Sequence, residues 1–314
     1  LKEAGRIIVG TIATSEQQAR SDHYPSRGTS KAQLLKRLDP IVYSSVTTPS
    51  PISQTLVEGY KENGFIILED VFGKKEIESL QRELGLLRNN EKIRTRAEVI
   101  TEPGDDSIRS IFRIHQLSSI FRKLGTNRRL VQLAQYLLGD RVYIYQSRLN
   151  YKPGFYGKEF YWHSDFETWH VEDGMPIMRA LSMSITLTDN YETNGPLMLI
   201  PGSHKHYVVC EGETPKNHFK DSLKKQEYGV PSIDYLSRLV DKSGIVTATG
   251  KPGSVIIFDC NTMHGSNSNI TPYPRSNVFF VYNALSNHVV EPFCNQPPRP
   301  EYICAREAIE PVQV

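Results

Sequence analysis

From Arg141 onward the chain reads as a succession of short strand-like segments, and this pattern limits the possible folds more than any other feature of the sequence. "RVYIYQSRLNYK", residues 141–152, alternates in side-chain type and is rich in aromatic and branched residues, as a half-buried strand should be. "RALSMSITLTD", "GPLMLIP", "GIVTATG", "GSVIIFD" and "SNVFFVYNAL" follow. They are separated by Gly, Pro and Asn turns at intervals that suit an antiparallel sandwich or small barrel. The polar stretch from Glu211 to Lys242 has the character of a long surface insertion.

Upstream the period changes. Residues 52–63 read as a helix closed by Asn63-Gly64, followed by the strand-like "FIILEDVF". Ile77, Leu80, Leu84 and Leu87 recur at helical spacing, as do Leu130, Leu133 and Leu137. The expected organisation is one domain over 22–314, with a mainly helical flank (22–140), a β core (141–290) and the insertion at 211–242 within it. Residues 1–21 are read as an extension of unknown role, expected to be disordered. Their apolar run "IIVGTIAT" is too short to span a bilayer.

Charge excludes some partners. The 37 basic residues nearly cancel the 35 acidic ones and form no long run, so neither nucleic acid nor a membrane surface is indicated, and a small molecule is the expected partner. The four cysteines are far apart and form no C-x-x-C pair. A zinc knuckle or disulfide framework is therefore not expected, and a reducing cytoplasm is.

"FYWHSDFETWHVEDG", residues 160–174, carries the chemistry. His163 and Asp165 are two residues apart, which on a strand turns both to one face. His264 in "FDCNTMHGS" follows a strong apolar strand and completes a two-histidine, one-carboxylate set of the kind that leaves a face of iron(II) open. Zinc more often takes three histidines or cysteines. Taken alone, His-x-Asp also fits a surface strand pair, and His264 a turn histidine. Arg275, eleven residues further on, adds a guanidinium able to grip a carboxylate through two parallel hydrogen bonds. Together these meet the needs of an oxygenase using Fe(2+), 2-oxoglutarate and O2, whose cosubstrate chelates iron at one end and needs a buried cation at the other.

Strand parity extends the candidate list. Gln146, Asn150 and Lys152 share one face of a strand, which is either the interior of the barrel or an exposed edge. Arg275, Asn277 and Phe279 share a face of the last strand, where Phe279 also fits simple core packing. His170 reads as structural. Glu167, Glu172 and Asp173 read as loop or solvated acids, and the His204/His206 pair in "PGSHKH" as part of a turn.

"QSRLNYKPG", "FYWHSDFETWHVEDGMP", "PGSHK", "MHGSNSN" and the Arg275 strand resemble the ectoine hydroxylases, within the phytanoyl-CoA dioxygenase-like branch of iron(II)/2-oxoglutarate oxygenases. The similarity runs from about residue 22 to the C-terminus. It implies a mainly β fold with flanking helices around a double-stranded β-helix (a cupin-like jelly roll), a homodimer, and conversion of ectoine to 5-hydroxyectoine. It implies His163, Asp165 and His264 as metal ligands, and Asn150, Lys152, Arg275 and, more weakly, Ser266 on the 2-oxoglutarate side. Gln146, Trp169, Phe258, Asn277 and Phe279 are implied as ectoine contacts, the aromatic faces suiting its delocalised cation. The rival readings are an oxygenase for another small amine or acyl compound and a silent jelly-roll module that binds a small zwitterion. Halogenation is disfavoured because Asp165 is present.

Overall fold

The computed structural model describes residues 22–104, 106–307 and 309–313, so the expectation for residues 1–21 lies outside the described residues. Helix boundaries follow local chemistry. Ser53 caps Gln54–Asn63 by accepting from the Leu56 N–H at 3.4 Å, and Gly64 ends the helix with φ 83°. Helix Lys74–Arg88 buries Ile77, Leu80, Leu84 and Leu87, and helix Arg128–Leu138 buries Leu130, Leu133 and Leu137. These stripes pack on a sheet, as their period requires.

Thirteen strands are seen among the described residues: β1 (Gln33–Lys36), β2 (Phe65–Leu68), β3 (Val99–Thr101), β4 (Ile108–Phe112), β5 (Val142–Lys152), β6 (Phe160–His163), β7 (Ala180–Thr186), β8 (Leu197–Leu199), β9 (His206–Val209), β10 (Val246–Ala248), β11 (Val255–Asp259), β12 (His264–Ser266) and β13 (Arg275–Ala284). The main sheet runs β2-β11-β7-β13-β5-β4-β3 and faces a smaller sheet, β10-β8-β12-β6, while β1 pairs with β9. All pairings are antiparallel, and the two facing sheets make the jelly roll.

The main sheet has two chemically different faces. Ile111, Leu149, Val278, Ile185 and Val255 point to the helices and form the principal apolar core. One residue out of phase, Arg148, Asn150, Lys152, Arg275, Asn277, Ser182 and Ser184 point toward the smaller sheet. The interior of the roll is therefore polar where its exterior is greasy.

Residues 22–140 hold most of the helices and also supply β2, β3 and β4, which complete both edges of the main sheet. β3 and β4 leave little trace in the sequence because they are only three and five residues long, and in β4 Arg109 and Ser110 interrupt the apolar positions. One expectation needs correction. The 211–242 stretch is not merely a surface insertion. Its second helix, Ile233–Ser243, buries Leu236 and Leu239 against Val208 and Met263, and the part before it packs over the interior of the roll.

Gly174 ends the helix Asp165–Asp173 at φ 78°, and a Cβ there would lie 2.1 Å from the Val290 carbonyl. Gly174→Ala is expected to cost more than the roughly 1–2 kcal/mol of a left-handed residue alone. Gly85→Ala, in open space within a helix, should be neutral or stabilising by up to about 1 kcal/mol. Urea unfolding midpoints check both.

Candidate metal centre and active-site cavity

Three donors converge inside the roll. β12 pairs β6 with His264 directly opposite His163, the ring centroids lying 4.3 Å apart. Asp165 does not continue the strand. Ser164 leaves it and caps a helix, accepting from the Glu167 N–H at 3.3 Å, and Asp165 is the first helical residue. The expected same-strand parity is thus wrong, yet the carboxylate arrives where parity would have sent it. Asp165 Oδ1 lies 3.7 Å from His163 Nε2 and 3.8 Å from His264 Nε2, and the three donors lie within 4.8 Å of one another.

The surroundings prepare these atoms as ligands. His163 Nδ1–H donates to Tyr161 O at 2.8 Å and His264 Nδ1–H to Thr262 O at 2.9 Å, which leaves both Nε2 lone pairs facing the carboxylate. Burial, then the neighbouring His264, pushes the His163 imidazole down to about 3, so it is neutral. Ser182 Oγ donates to Asp165 Oδ2 at 3.1 Å. Lone pairs aimed at lone pairs repel unless a cation sits among them. Two imidazoles and one carboxylate fit iron(II) with open positions.

The turn that delivers His264 is fixed from several sides. Asp259 Oδ1 accepts from the Asn261 N–H and from Arg37 Nη1, both at 2.8 Å. Asn261 Nδ2 donates to the carbonyls of His204 and His206, and Ser203 Oγ accepts from the Met263 N–H at 2.9 Å. The "PGSHKH" turn therefore supports a ligand without being one, and His204 Nε2 donates to Lys61 O.

The donors open onto a cavity of two adjoining lobes. The first is bordered by Glu102, Arg109, Asn150, Lys152, Ser266, Arg275 and Phe279. The second is bordered by Gln146, Thr168, Trp169, Gln226 and Arg299, while Arg148, Phe160, His163 and Leu223 border both. Leu223 and Gln226 come from the 211–242 stretch, which covers the site. Asn277 and Phe258 are buried on the same sheet face but stand behind this lining. Asn277 Nδ2 donates to Ser184 Oγ, and the Phe258 ring lies 4.9 Å from that of His264.

Cations dominate the first lobe. Arg275 is buried with Nε and Nη1 unpartnered, and burial, then Arg109 and Arg148, pushes it down to about 10, so it stays charged. Arg148 Nε is also unpartnered, and its guanidinium lies over the Phe279 ring at 4.9 Å. Arg109 is paired with Glu102 at 2.8 Å. Such a lobe suits a small dianion. Arg148 has the parity of Gln146, Asn150 and Lys152 and was legible in the sequence. Arg109, Thr168, Gln226 and Arg299 carried no local signal.

The acids after Asp165 are neither solvated nor in a loop, contrary to expectation. Glu167 takes a bidentate bond from Arg27 at 2.9 and 2.7 Å, Glu172 pairs with Arg27 at 2.6 Å and with His218 at 2.5 Å, and Asp173 accepts from Arg299 and Tyr145. His170 is structural, bonded to Met175 O and Asp22 and stacked on Phe293.

A family profile described as Phytanoyl-CoA dioxygenase (PhyH) matches residues 60–277. The chain is 54% identical over 285 residues to an ectoine dioxygenase of Sphingopyxis alaskensis, covering 91% of this chain and 93% of that one. It superposes with a TM-score of 0.83, at 50% identity and covering 91% and 95% of the two chains, on the crystal structure of EctD from S. alaskensis with 2-oxoglutarate and 5-hydroxyectoine. The same enzyme with bound Fe gives a TM-score of 0.83 at 48% identity, covering 94% and 98%.

Replacing His163, Asp165 or His264 by Ala is expected to abolish measurable iron(II) binding while the circular dichroism of the β core persists. Ser182→Ala, which only loosens Asp165, should weaken it by about 10–100-fold. His170→Ala and His204→Ala should retain iron. Metal analysis after anaerobic loading reads all six.

Proposed function

The chain belongs to the phytanoyl-CoA dioxygenase family, and from that premise we propose that it is an iron(II)- and 2-oxoglutarate-dependent dioxygenase that hydroxylates ectoine at C5, giving 5-hydroxyectoine, succinate and CO2. The observation that carries this reading is the His163–Asp165–His264 donor set beside a lobe whose buried Arg275 has unpartnered nitrogens. Iron(II) held by the three donors supplies the redox chemistry that joins O2 reduction and cosubstrate decarboxylation to hydroxylation.

The remaining roles belong to the chain's own side chains. Arg275 grips the distal carboxylate of 2-oxoglutarate through its free edge, with Lys152, Ser266 and Asn150 along the same lobe. Ectoine takes the second lobe, where Trp169 offers a ring face to the amidinium and Gln146 a side-chain amide. Arg148 and Arg299 are cations within reach of its carboxylate. Phe258 packs against the His264 ring, Phe279 borders the first lobe, and Asn277, bonded to Ser184, helps hold the pocket's shape behind the lining. Leu223 and Gln226 close the lobe from above and keep water from the reacting carbon.

Two coarser expectations join this proposal. The four cysteines are unpaired and no helix among the described residues is long and apolar enough to cross a membrane, which is compatible with a cytoplasmic enzyme. Phe155, Tyr156, Ile270 and Tyr273 are each about 60% exposed or more on two neighbouring loops, a surface suited to a second copy of the chain in a homodimer.

Aerobic incubation with iron(II), 2-oxoglutarate and ectoine should add the mass of one oxygen atom to ectoine. No oxygen on ectoine, with hydroxylation of another amine or acyl acid instead, would leave only the oxygenase class standing. Trp169→Ala should lose ectoine turnover yet still bind 2-oxoglutarate and release some succinate uncoupled. Arg275→Leu should weaken 2-oxoglutarate by about 2–5 kcal/mol with a far smaller effect on ectoine, and Arg275→Lys should recover part of the loss. Calorimetric titration separates the two ligands.

A further inference from the structure

Lys152 ends β5 with its stem walled in on both sides. A Cβ on Gly157 would lie 2.2 Å from its Cγ, and one on Gly195 would lie 2.9 Å from its Cδ and 3.1 Å from its Nζ. The residue is 5% exposed, so its amine has neither room to swing out nor bulk water to solvate it. Nζ donates to Ser266 Oγ at 2.9 Å and to the Asn267 carbonyl, both neutral acceptors. Among the described residues it has no ion-pair partner.

Its charged neighbours come from other elements. Arg275 lies directly opposite on β13, and Arg109 borders the lobe from β4. Two carboxylates stand against them: Glu102, paired with Arg109 at 2.8 Å, and Glu159, which is exposed to solvent and accepts from Ser268 Oγ at 2.9 Å. Arg109 and Glu102 offset each other, so the uncompensated neighbour is the Arg275 guanidinium. A buried ammonium beside it is unfavourable, and arginine holds its proton far more tightly than lysine, so the lysine is the group that yields. Lysine gives up its proton readily when buried. Burial, then Arg275 and Arg109, holds its pKa well below the usual lysine range.

We propose that Lys152 is a neutral amine before the cosubstrate enters and captures one proton from solvent as 2-oxoglutarate binds, so that cosubstrate loading is coupled to proton uptake. The proton converts the amine to an ammonium, which then faces the incoming dianion as a second cation beside Arg275. This rests on the assignment of the first lobe to 2-oxoglutarate. The sign follows directly. Uptake is greatest between the pKa of the free lysine and that of the bound one, and it vanishes at lower pH, where the free lysine already carries its proton. Affinity for 2-oxoglutarate therefore falls as pH rises through that window, approaching tenfold per pH unit, although the cosubstrate's own charge is constant there.

Anaerobic, iron(II)-loaded protein titrated with 2-oxoglutarate at several pH values between about 7 and 10, in buffers of low and high ionisation enthalpy, reads the coupling as a buffer-dependent heat. The expected result is proton uptake in the parent protein that rises toward one per 2-oxoglutarate within this range. Lys152→Gln should bind more weakly through Arg275, with heat independent of the buffer. Buffer-independent heat in the parent, or unchanged uptake in Lys152→Gln, overturns the inference while leaving the lobe's assignment intact. If the loaded parent fails to bind 2-oxoglutarate at all, the assignment itself is wrong and the inference goes with it.

Discussion

The site depends on a buried set of ion pairs around one short helix. Asp165–Asp173 has nine residues and four acids, and a helix of that length is not stable alone in water. Glu167, Glu172 and Asp173 are each no more than 2% exposed, a placement tolerable only where each carboxylate meets a cation. Arg27 supplies one cation from the start of the described chain and Arg299 another from near its end. Burial alone would favour the protonated Glu172, yet Arg27 and His218 hold its carboxyl down to about 2. The helix carrying Asp165 and Trp169 is thus set in place by Arg27 and Arg299, which close on it from segments far apart in the chain. Removing either arginine would leave an unpaired buried charge beside the metal centre.

The same pairs reach the cover of the cavity. Arg27 Nη1 donates to Thr214 Oγ1 at 3.1 Å, His218 Nε2 lies 2.5 Å from Glu172, and Gly229 lies so close to the Arg27–Glu167 pair that a Cβ there would stand 2.2 Å from Glu167 Oε2. The polar 211–242 stretch is therefore tied to the helix bearing the metal-facing carboxylate, and its Leu223 and Gln226 border the cavity as a result. Floor, wall and cover share one electrostatic support. His264 has a separate one in the Asp259–Met263 turn, held by Arg37 and by the backbone of the "PGSH" segment.

Much of the core was legible because strand alternation is local. β5 and β13 read correctly from side-chain type, and their parity put Lys152, Asn150, Arg275, Asn277 and Phe279 on one face, where the register Arg275↔Lys152 and Asn277↔Asn150 now joins them. Arg148 was equally visible by parity. β3 was too short to stand out, and β4 is short and interrupted by Arg109 and Ser110. Asp165 illustrates a different limit: His-Ser-Asp carries both a strand signal and a helix-capping signal, and the capping serine prevailed.

By itself, the sequence determined which side chains have the chemistry for binding a metal and gripping an anion, and along which stretches the strands run. Composition and period two are properties of neighbouring residues, so no folding needs to be known to read them. Only the tertiary structure decided that the acids after Asp165 are buried partners and not solvated ones, that Arg109, Thr168, Gln226 and Arg299 reach the cavity, and that Lys152 has cations for neighbours. Each of these is a relation between segments far apart in the chain. Burial and charge pairing change what a residue does without changing the local pattern in which it sits.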